Sequence, residues 1–328
     1  MTLLRDKYQR TIDYMRVSIT DRCNVRCVYC MPKEGIASAS HDEILTYDEI
    51  LRVCEAAVQL GVRKIKITGG EPFVRKDMPM LVKELKAIPK LEEVTLTTNG
   101  ILLGDHLKML VAYGIDGINI SLDTMNRQLY QEITRFDRLD QVLHNIDRAL
   151  SYDNLVIKVN CVPINWPNQD FVELASLARE RAIHVRFIEM MPMGYGKDFD
   201  YVGEEEIKKQ ISDIYGPMIP TQERLGNGPS KYYEIAGFRG KIGFISAMSH
   251  QFCHQCNRIR LTSQGRLKAC LQYETGTDLK VLLRNGASDE ELIKAMQASI
   301  LEKPKEHGFK SGHLTAEREP REMVRIGG

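Results

Sequence analysis

Six short segments that each alternate a polar with an apolar residue, and that are separated by helix-forming stretches, restrict this chain to a parallel sheet with two unlike faces. The segments are Met15–Thr20, Lys64–Thr68, Val94–Thr98, Ile118–Leu122, Val156–Val162 and His184–Ile188. Helical patterns fall at Thr46–Leu60, Asp105–Ala112, Asp140–Ser151, Asp170–Arg181 and Glu204–Ile214, and Gly61, Gly114 and Gly216 stand where helices should close. Strand–helix alternation of this kind predicts parallel pairing. Residues two apart on a strand share a face. Arg16, Ser18, Lys66, Thr68, Thr95, Thr97, Asn119, Ser121, Lys158, Asn160 and Arg186 therefore face one way, and Val17, Ile19, Ile65, Ile67, Leu96, Ile120, Val159 and Phe187 the other. The apolar face packs under the helices. The polar face cannot fill a closed barrel, because such interiors are dry and built from Val, Ile and Leu, and unpaired charges buried there cost too much. The expectation is an α/β fold over residues 1–216: a partial, open, six-stranded (β/α)6 barrel of the TIM type with a wet lumen that takes a polar ligand. Plain solvent-facing strands are the competing reading, weakened because parallel sheets are covered on both faces.

The texture changes after residue 216. Pro217, Pro220, Gly226, Gly228 and Pro229 read as a linker. Short strands at Lys231–Ile235 and Lys241–Ile245 and helices near Thr277–Arg284 and Ser288–Leu301 make residues 217–328 a smaller α+β region. The formal net charge is +1, so no global basic field exists to hold a nucleic acid polymer, and an anionic ligand needs a local cluster of cations. Met1–Arg10 is charged and has no apolar core of a signal peptide, and no run of about 18 apolar residues occurs, so neither export nor a membrane span is expected. A cytoplasmic chain keeps its thiols reduced.

Six of the eight cysteines fall in two spaced sets, which in a reducing compartment favours metal binding over disulfides. Cys23, Cys27 and Cys30 form C-x3-C-x2-C directly after the first strand. Three thiolates leave one iron of a four-iron cluster without a protein ligand, the open position a catalytic cluster needs. Cys253, Cys256 and Cys270 form the second set. On spacing alone it suits either another cluster with an open iron or a zinc site completed by His250 or His254. Arg258 and Arg260 follow on one side of a strand, and paired guanidiniums suit a phosphate-bearing ligand. Cys54 and Cys161 read as buried small hydrophobes, and Trp166 as a packing residue at a strand-to-helix turn.

The first set, the aromatic Tyr29 before its third cysteine, Gly69-Gly70-Glu71-Pro72 after the second strand and Ser121-Leu122-Asp123 at the end of the fourth together resemble the radical S-adenosylmethionine superfamily. With the second set, Arg258-Ile-Arg260 and the terminal Gly327-Gly328, nearly the whole chain resembles the molybdenum cofactor biosynthesis protein A family of GTP 3′,8-cyclases. The resemblance implies two [4Fe-4S] clusters, held by Cys23, Cys27, Cys30 and by Cys253, Cys256, Cys270. It implies S-adenosylmethionine contacts from Tyr29, Gly70, Ser121 and Met191, and GTP contacts from Arg16, Lys66, Thr97, Lys158, Arg258 and Arg260. Arg186 would assist catalysis or triphosphate binding, and the Gly327–Gly328 tail would enter the pocket, where glycine permits close backbone approach. In that family a 5′-deoxyadenosyl radical takes the ribose 3′ hydrogen of GTP, the 3′ carbon attacks guanine C8, and the product passes to cyclic pyranopterin monophosphate synthase. An electron donor is implied, and a homodimer stays open beside a monomer. The competing enzyme reading is a radical peptide-modifying enzyme with an auxiliary cluster. A two-cluster redox sensor or carrier would need neither Gly69–Pro72 nor a cation-lined lumen.

Overall fold

The computed structural model describes residues 4–223, 225–309 and 319–327. The six expected strands form, within a residue or two of their predicted ends: β1 (Tyr14–Ser18), β2 (Lys64–Thr68), β3 (Glu93–Thr98), β4 (Gly117–Ser121), β5 (Val156–Cys161) and β6 (His184–Ile188). They lie side by side and parallel in chain order. Each is followed by at least one helix, and some helix starts carry side-chain caps. Thr46 and Glu49 make a reciprocal capping box ahead of Tyr47–Leu60, and Asp170 caps Phe171–Glu180. Gly61 closes the first of these helices in the left-handed region at φ 113°.

The region beyond residue 216 adds to the same sheet at both edges. Its strands are β7 (Ile219–Thr221), β8 (Lys231–Glu234), β9 (Ile242–Ile245), β10 (Arg258–Leu261), β11 (Arg266–Lys268) and β12 (Thr277–Asp278). β10 joins β1 and β9 joins β6, both parallel, so the six-stranded run continues into eight parallel strands. Antiparallel hairpins finish each edge, and β12 and β7 remain the two ends of an open sheet. The stretch read from its prolines and glycines as a linker thus contains an edge strand, β7, a position where Pro220 is tolerated because an edge leaves one side of the ladder unpaired.

Strand parity holds throughout. Val17, Ile65, Ile67, Val94, Leu96, Ile118, Ile120, Ile157, Val159, Val185 and Phe187 are buried beneath the helices in one continuous core. Each such side chain contributes about 1.5–3 kcal/mol on leaving water. The polar face curls inward. Register sets Arg260, Arg16, Lys66 and Thr95 in one row across β10, β1, β2 and β3, and Thr97, Asn119 and Lys158 in another across β3, β4 and β5. Cys54 and Cys161 are wholly buried, and Trp166 stacks on Phe199 at a centroid distance of 6.0 Å. Among the described residues no helix is long and apolar enough to cross a membrane.

Candidate active site

At the carboxyl end of β1 the chain turns into the loop that carries Cys23, Cys27 and Cys30. The turn after β2 packs against that loop through its glycines. A Cβ on Gly70 would stand 2.2 Å from the Arg22 carbonyl, and one on Gly69 2.6 Å from that of Thr20, so neither position admits a side chain. Glu71 pins the turn to the end of β3. Its buried carboxylate accepts from Thr98 Oγ1 at 2.8 Å, Asn99 N at 2.6 Å and Phe73 N at 3.2 Å. Burial pushes this carboxyl up to about 7 against those hydrogen bonds. Asn99 in turn donates to Asn24 Oδ1 at 2.7 Å inside the cysteine loop. Across the opening, Tyr29 donates to Asp123 Oδ2 at 2.6 Å, while Asp123 Oδ1 takes the Val162 amide at 2.8 Å. Burial raises the Asp123 carboxyl to about 6.

The three thiols share one wall of the cavity, all free and partly buried. Burial pushes Cys23 up to about 11 and Cys30 up to about 12. Cys27 is also raised well above its usual value, first through burial and then through the charges of Cys30, Asp123 and Cys23. Burial is the main cause in all three, and a cationic metal centre reverses the effect by holding them as thiolates. Among the described residues no three His, Cys, Asp or Glu side chains converge as ligands of a single ion. An iron–sulfur cluster instead spreads its thiolates over separate irons. The donor set fits such a cluster.

The same cavity runs down the barrel between the polar strand faces. All four residues expected at S-adenosylmethionine (Tyr29, Gly70, Ser121 and Met191) line it, as do all six expected at GTP. Lys158, Arg186 and Arg260 are buried there, and Arg16, Lys66 and Arg258 half-buried. Desolvation and the repulsion of neighbouring cations depress Arg16, Lys66, Lys158 and Arg260. Lys66 falls well below its usual value through burial and then the charges of Arg186, Arg16 and Lys158. Burial first, and then neighbouring guanidiniums, brings Lys158 to about 8 and Arg260 to about 9. Arg186 is held in place by Asn160 and Asn119, with Nη2 2.6 Å from both Oδ1 atoms and Nε 2.9 Å from Asn160 Oδ1. Arg258 Nε is buried without a hydrogen-bond partner among the described residues, and its guanidinium lies over the Phe252 ring.

The second set of thiols does not line this cavity among the described residues. The cavity reaches it through Arg258, two residues past Cys256, and Leu271, next to Cys270. Burial works against ionising Cys256, but the charges of Lys303 and Arg258 outweigh it and bring the thiol down to about 7. Lys303 Nζ donates to the carbonyls of Arg258, at 2.8 Å, and Ala269. Arg10 donates to the Cys253 carbonyl at 2.8 Å and to those of Pro304 and Lys305. Glu189 takes the amides of Met248 and Ser249 at 2.8 and 2.9 Å, a few residues ahead of Cys253 in the chain. Sequence reasoning missed Arg10, Glu189 and Lys303. Each is an unremarkable charge until burial shows that it is tied to backbone around a cysteine.

Gly327 lies inside the barrel, its carbonyl accepting from Arg260 Nη1 at 2.9 Å. A Cβ at this position would stand 2.8 Å from Ser18 Cβ, and φ is 73°. Met323 and Val324 just before it line the cavity. Gly328 lies outside the described residues.

The comparisons with known proteins agree along the whole chain. The family model for the Radical SAM superfamily matches residues 17–211, and that for Molybdenum Cofactor Synthesis C matches residues 183–309. A GTP 3′,8-cyclase of Clostridium perfringens (strain 13 / Type A) is 46% identical over 326 residues, covering 99% of this chain and 100% of the relative. The GTP 3′,8-cyclase of Moorella thermoacetica is 43% identical over 328 residues, again 99% and 100%. Among solved structures, Streptococcus suis SuiB bound to S-adenosylmethionine matches with a TM-score of 0.61 at 17% identity, covering 88% of this chain and 69% of that one, a likeness of fold. With this identity sustained from end to end, the chain belongs to the GTP 3′,8-cyclase family of the radical S-adenosylmethionine superfamily.

Proposed function

We infer that this chain cyclises GTP to 3′,8-cyclo-7,8-dihydro-GTP by radical S-adenosylmethionine chemistry, the first step of molybdenum cofactor biosynthesis. The observation that carries the reading is the crowd of mutually depressed cations in the cavity that also holds Cys23, Cys27 and Cys30. Like charges brought together out of water are unfavourable until a polyanion joins them, and a nucleoside triphosphate supplies one. A radical peptide-modifying enzyme has no use for such a wall.

Cys23, Cys27 and Cys30 would hold a cluster that, with S-adenosylmethionine, would supply hydrogen-atom abstraction from the ribose 3′ carbon. The protein's part is placement and exclusion of water. Arg16, Lys66, Lys158, Arg258 and Arg260 hold the triphosphate, with Thr97 as a hydroxyl partner. Arg186, oriented by Asn119 and Asn160, adds a fork of donors whose direction is already fixed. Tyr29, Gly70, Ser121 and Met191 seat the cosubstrate. The Tyr29 hydroxyl is already engaged by Asp123, which leaves its ring and backbone for that task. Cys253, Cys256 and Cys270 would hold a second four-iron cluster, which would supply an open iron to the guanine end of the substrate. Residues 1–216 then carry the radical chemistry, and residues 217–328 carry the second cluster and the Gly327–Gly328 tail. An electron donor serves the first cluster, and the product goes on to cyclic pyranopterin monophosphate synthase.

The test is anaerobic incubation with GTP, S-adenosylmethionine and a reductant. The expected result is 5′-deoxyadenosine formed in step with a cyclised GTP product. Formation of 5′-deoxyadenosine that ignores GTP overturns the reading.

A further inference from the structure

The segment that delivers Gly327 to the barrel enters past a buried charged group that the reaction does not use. Lys268 ends β11, and its side chain is ion-paired with Glu319; neither side chain is exposed at all. Arg321 closes on the same carboxylate, Nε to Oε1 at 2.6 Å and Nη2 to Oε2 at 2.8 Å. Backbone bonds complete the joint. Glu319 N donates to the Gln272 carbonyl at 2.7 Å, and Lys268 Nζ donates to the Leu271 carbonyl at 3.2 Å. Residues 268, 271 and 272 flank Cys270, so the segment is moored on either side of that cysteine.

Beyond the mooring the chain forms the short helix Met323–Ile326, buries Val324 and Ile326, and ends its described course with Gly327 on Arg260. Val324 Cγ2 lies 3.0 Å from where a Cβ on Gly70 would stand, so the segment also touches the Gly-Gly turn. The last residues of a chain are frayed unless something ties them down. Fixing the segment at Glu319 leaves only a few residues free and raises the local concentration of Gly327 at the barrel. A buried ion pair stabilises little compared with an apolar pair, but it penalises every register that separates its charges, which is what seating a tail requires.

We propose that Lys268, Glu319 and Arg321 form a latch that sets the register of the C-terminal segment, with Glu319 a positioning residue that fixes where the Gly327 carbonyl meets Arg260. The proposal rests on the reading of the barrel as the GTP-cyclising site.

The full-length chain is compared with two variants, Glu319→Gln and the double variant Lys268→Met/Glu319→Leu. The double variant removes the two fully buried charges together, and the Arg321 guanidinium that loses its carboxylate is 23% exposed and can turn to solvent, so this variant keeps the fold where the single variant, which strands the Lys268 ammonium, fails to. Two readouts are taken: carboxypeptidase release of the C-terminal residues from the reconstituted enzyme, and kcat and KM for GTP cyclisation. Release is expected to quicken at least tenfold and kcat to fall at least tenfold, with KM for S-adenosylmethionine within twofold of wild type. A C-terminus still protected in the double variant overturns the latch. A released C-terminus with full turnover overturns the positioning role. The release assay needs no GTP chemistry, so a wild-type chain that fails to cyclise GTP counts against the functional reading and leaves the latch to be judged on protection alone.

Discussion

Arg260 Nη1 donates to the Gly327 carbonyl at 2.9 Å, joining the C-terminal segment to the cation row of the barrel. Arg260 is the β10 partner of Arg16 on β1, which in turn faces Lys66 on β2. The tail therefore ends beside the charges that await the triphosphate, and it gets there only because Gly327 has no side chain.

Gly327→Val should impair turnover while leaving iron content unchanged. The new Cβ meets Ser18 Cβ at 2.8 Å, and a β-branched residue is strained at φ 73°. Strain of about 1–3 kcal/mol corresponds to roughly a 5- to 150-fold loss of seated tail. A tag appended at the C-terminus should act in the same direction. Steady-state cyclisation with parallel iron analysis checks both, and full activity in the tagged chain removes the tail from the mechanism.

GTP affinity should fall as pH rises above about 8. Lys158 is brought down to about 8 by burial and by the charge of Arg186. Below that pH the ammonium is present with or without ligand. Above it the free protein carries a neutral amine, and a polyanion that favours the ammonium must draw a proton from solution. Each such group costs about tenfold in affinity per pH unit until the pKa of the bound state is passed. The ligand-free fold responds oppositely: between about 8 and the usual lysine value of 10.5 the unfolded chain binds more protons, so stability rises with pH there. Calorimetric titration with GTP across pH 7 to pH 10, in buffers of different ionisation enthalpy, reads the proton uptake directly. A flat affinity without uptake contradicts it.

Lys66→Met should stabilise the ligand-free protein and weaken GTP binding together. Lys66 is depressed by burial and by three neighbouring cations, so its charge is a liability until the triphosphate arrives. Methionine keeps the length and removes the repulsion, a change of about 1 kcal/mol or more in favour of the fold. The expected signature is a raised unfolding midpoint with KM for GTP up at least tenfold. A lowered midpoint means that the ammonium is paired better than its neighbours allow.

The barrel and most of its site were legible because both obey a period of two. Once Arg16, Lys66, Thr97 and Lys158 are placed by alternation opposite Val17, Ile67, Leu96 and Val159, the lumen follows from the pattern. The local spacing of Cys23, Cys27 and Cys30 was as readable. What escaped depended on contacts between residues far apart in the chain. β9 and β10 look like any short strands, and only pairing shows that they extend the sheet at opposite edges. Lys268 and Glu319 are ordinary surface types whose meeting 51 residues apart has no local signal. The same holds for Arg10, which reaches the Cys253 carbonyl across 243 residues.

Iron content should separate the two cysteine sets and decide the metal of the second. If each set holds a four-iron cluster, the reconstituted wild type carries about eight irons per chain and each triple Cys→Ala variant about four. If Cys253, Cys256 and Cys270 hold zinc with a histidine, the wild type carries about four irons and one zinc. The surroundings favour the cluster. His254 is exposed, on the turn between Cys253 and Cys256, and His250 is turned toward Glu204, with Nδ1 3.5 Å from that carboxylate, so neither is committed as a fourth ligand. The cations Lys303 and Arg258 beside Cys256 instead suit a centre whose thiolates and sulfides give it net negative charge. The variant lacking the first set should lose all formation of 5′-deoxyadenosine. The variant lacking the second should lose cyclisation while still binding S-adenosylmethionine at Tyr29 and Gly70. One zinc per chain with unimpaired cyclisation would sink the two-cluster assignment.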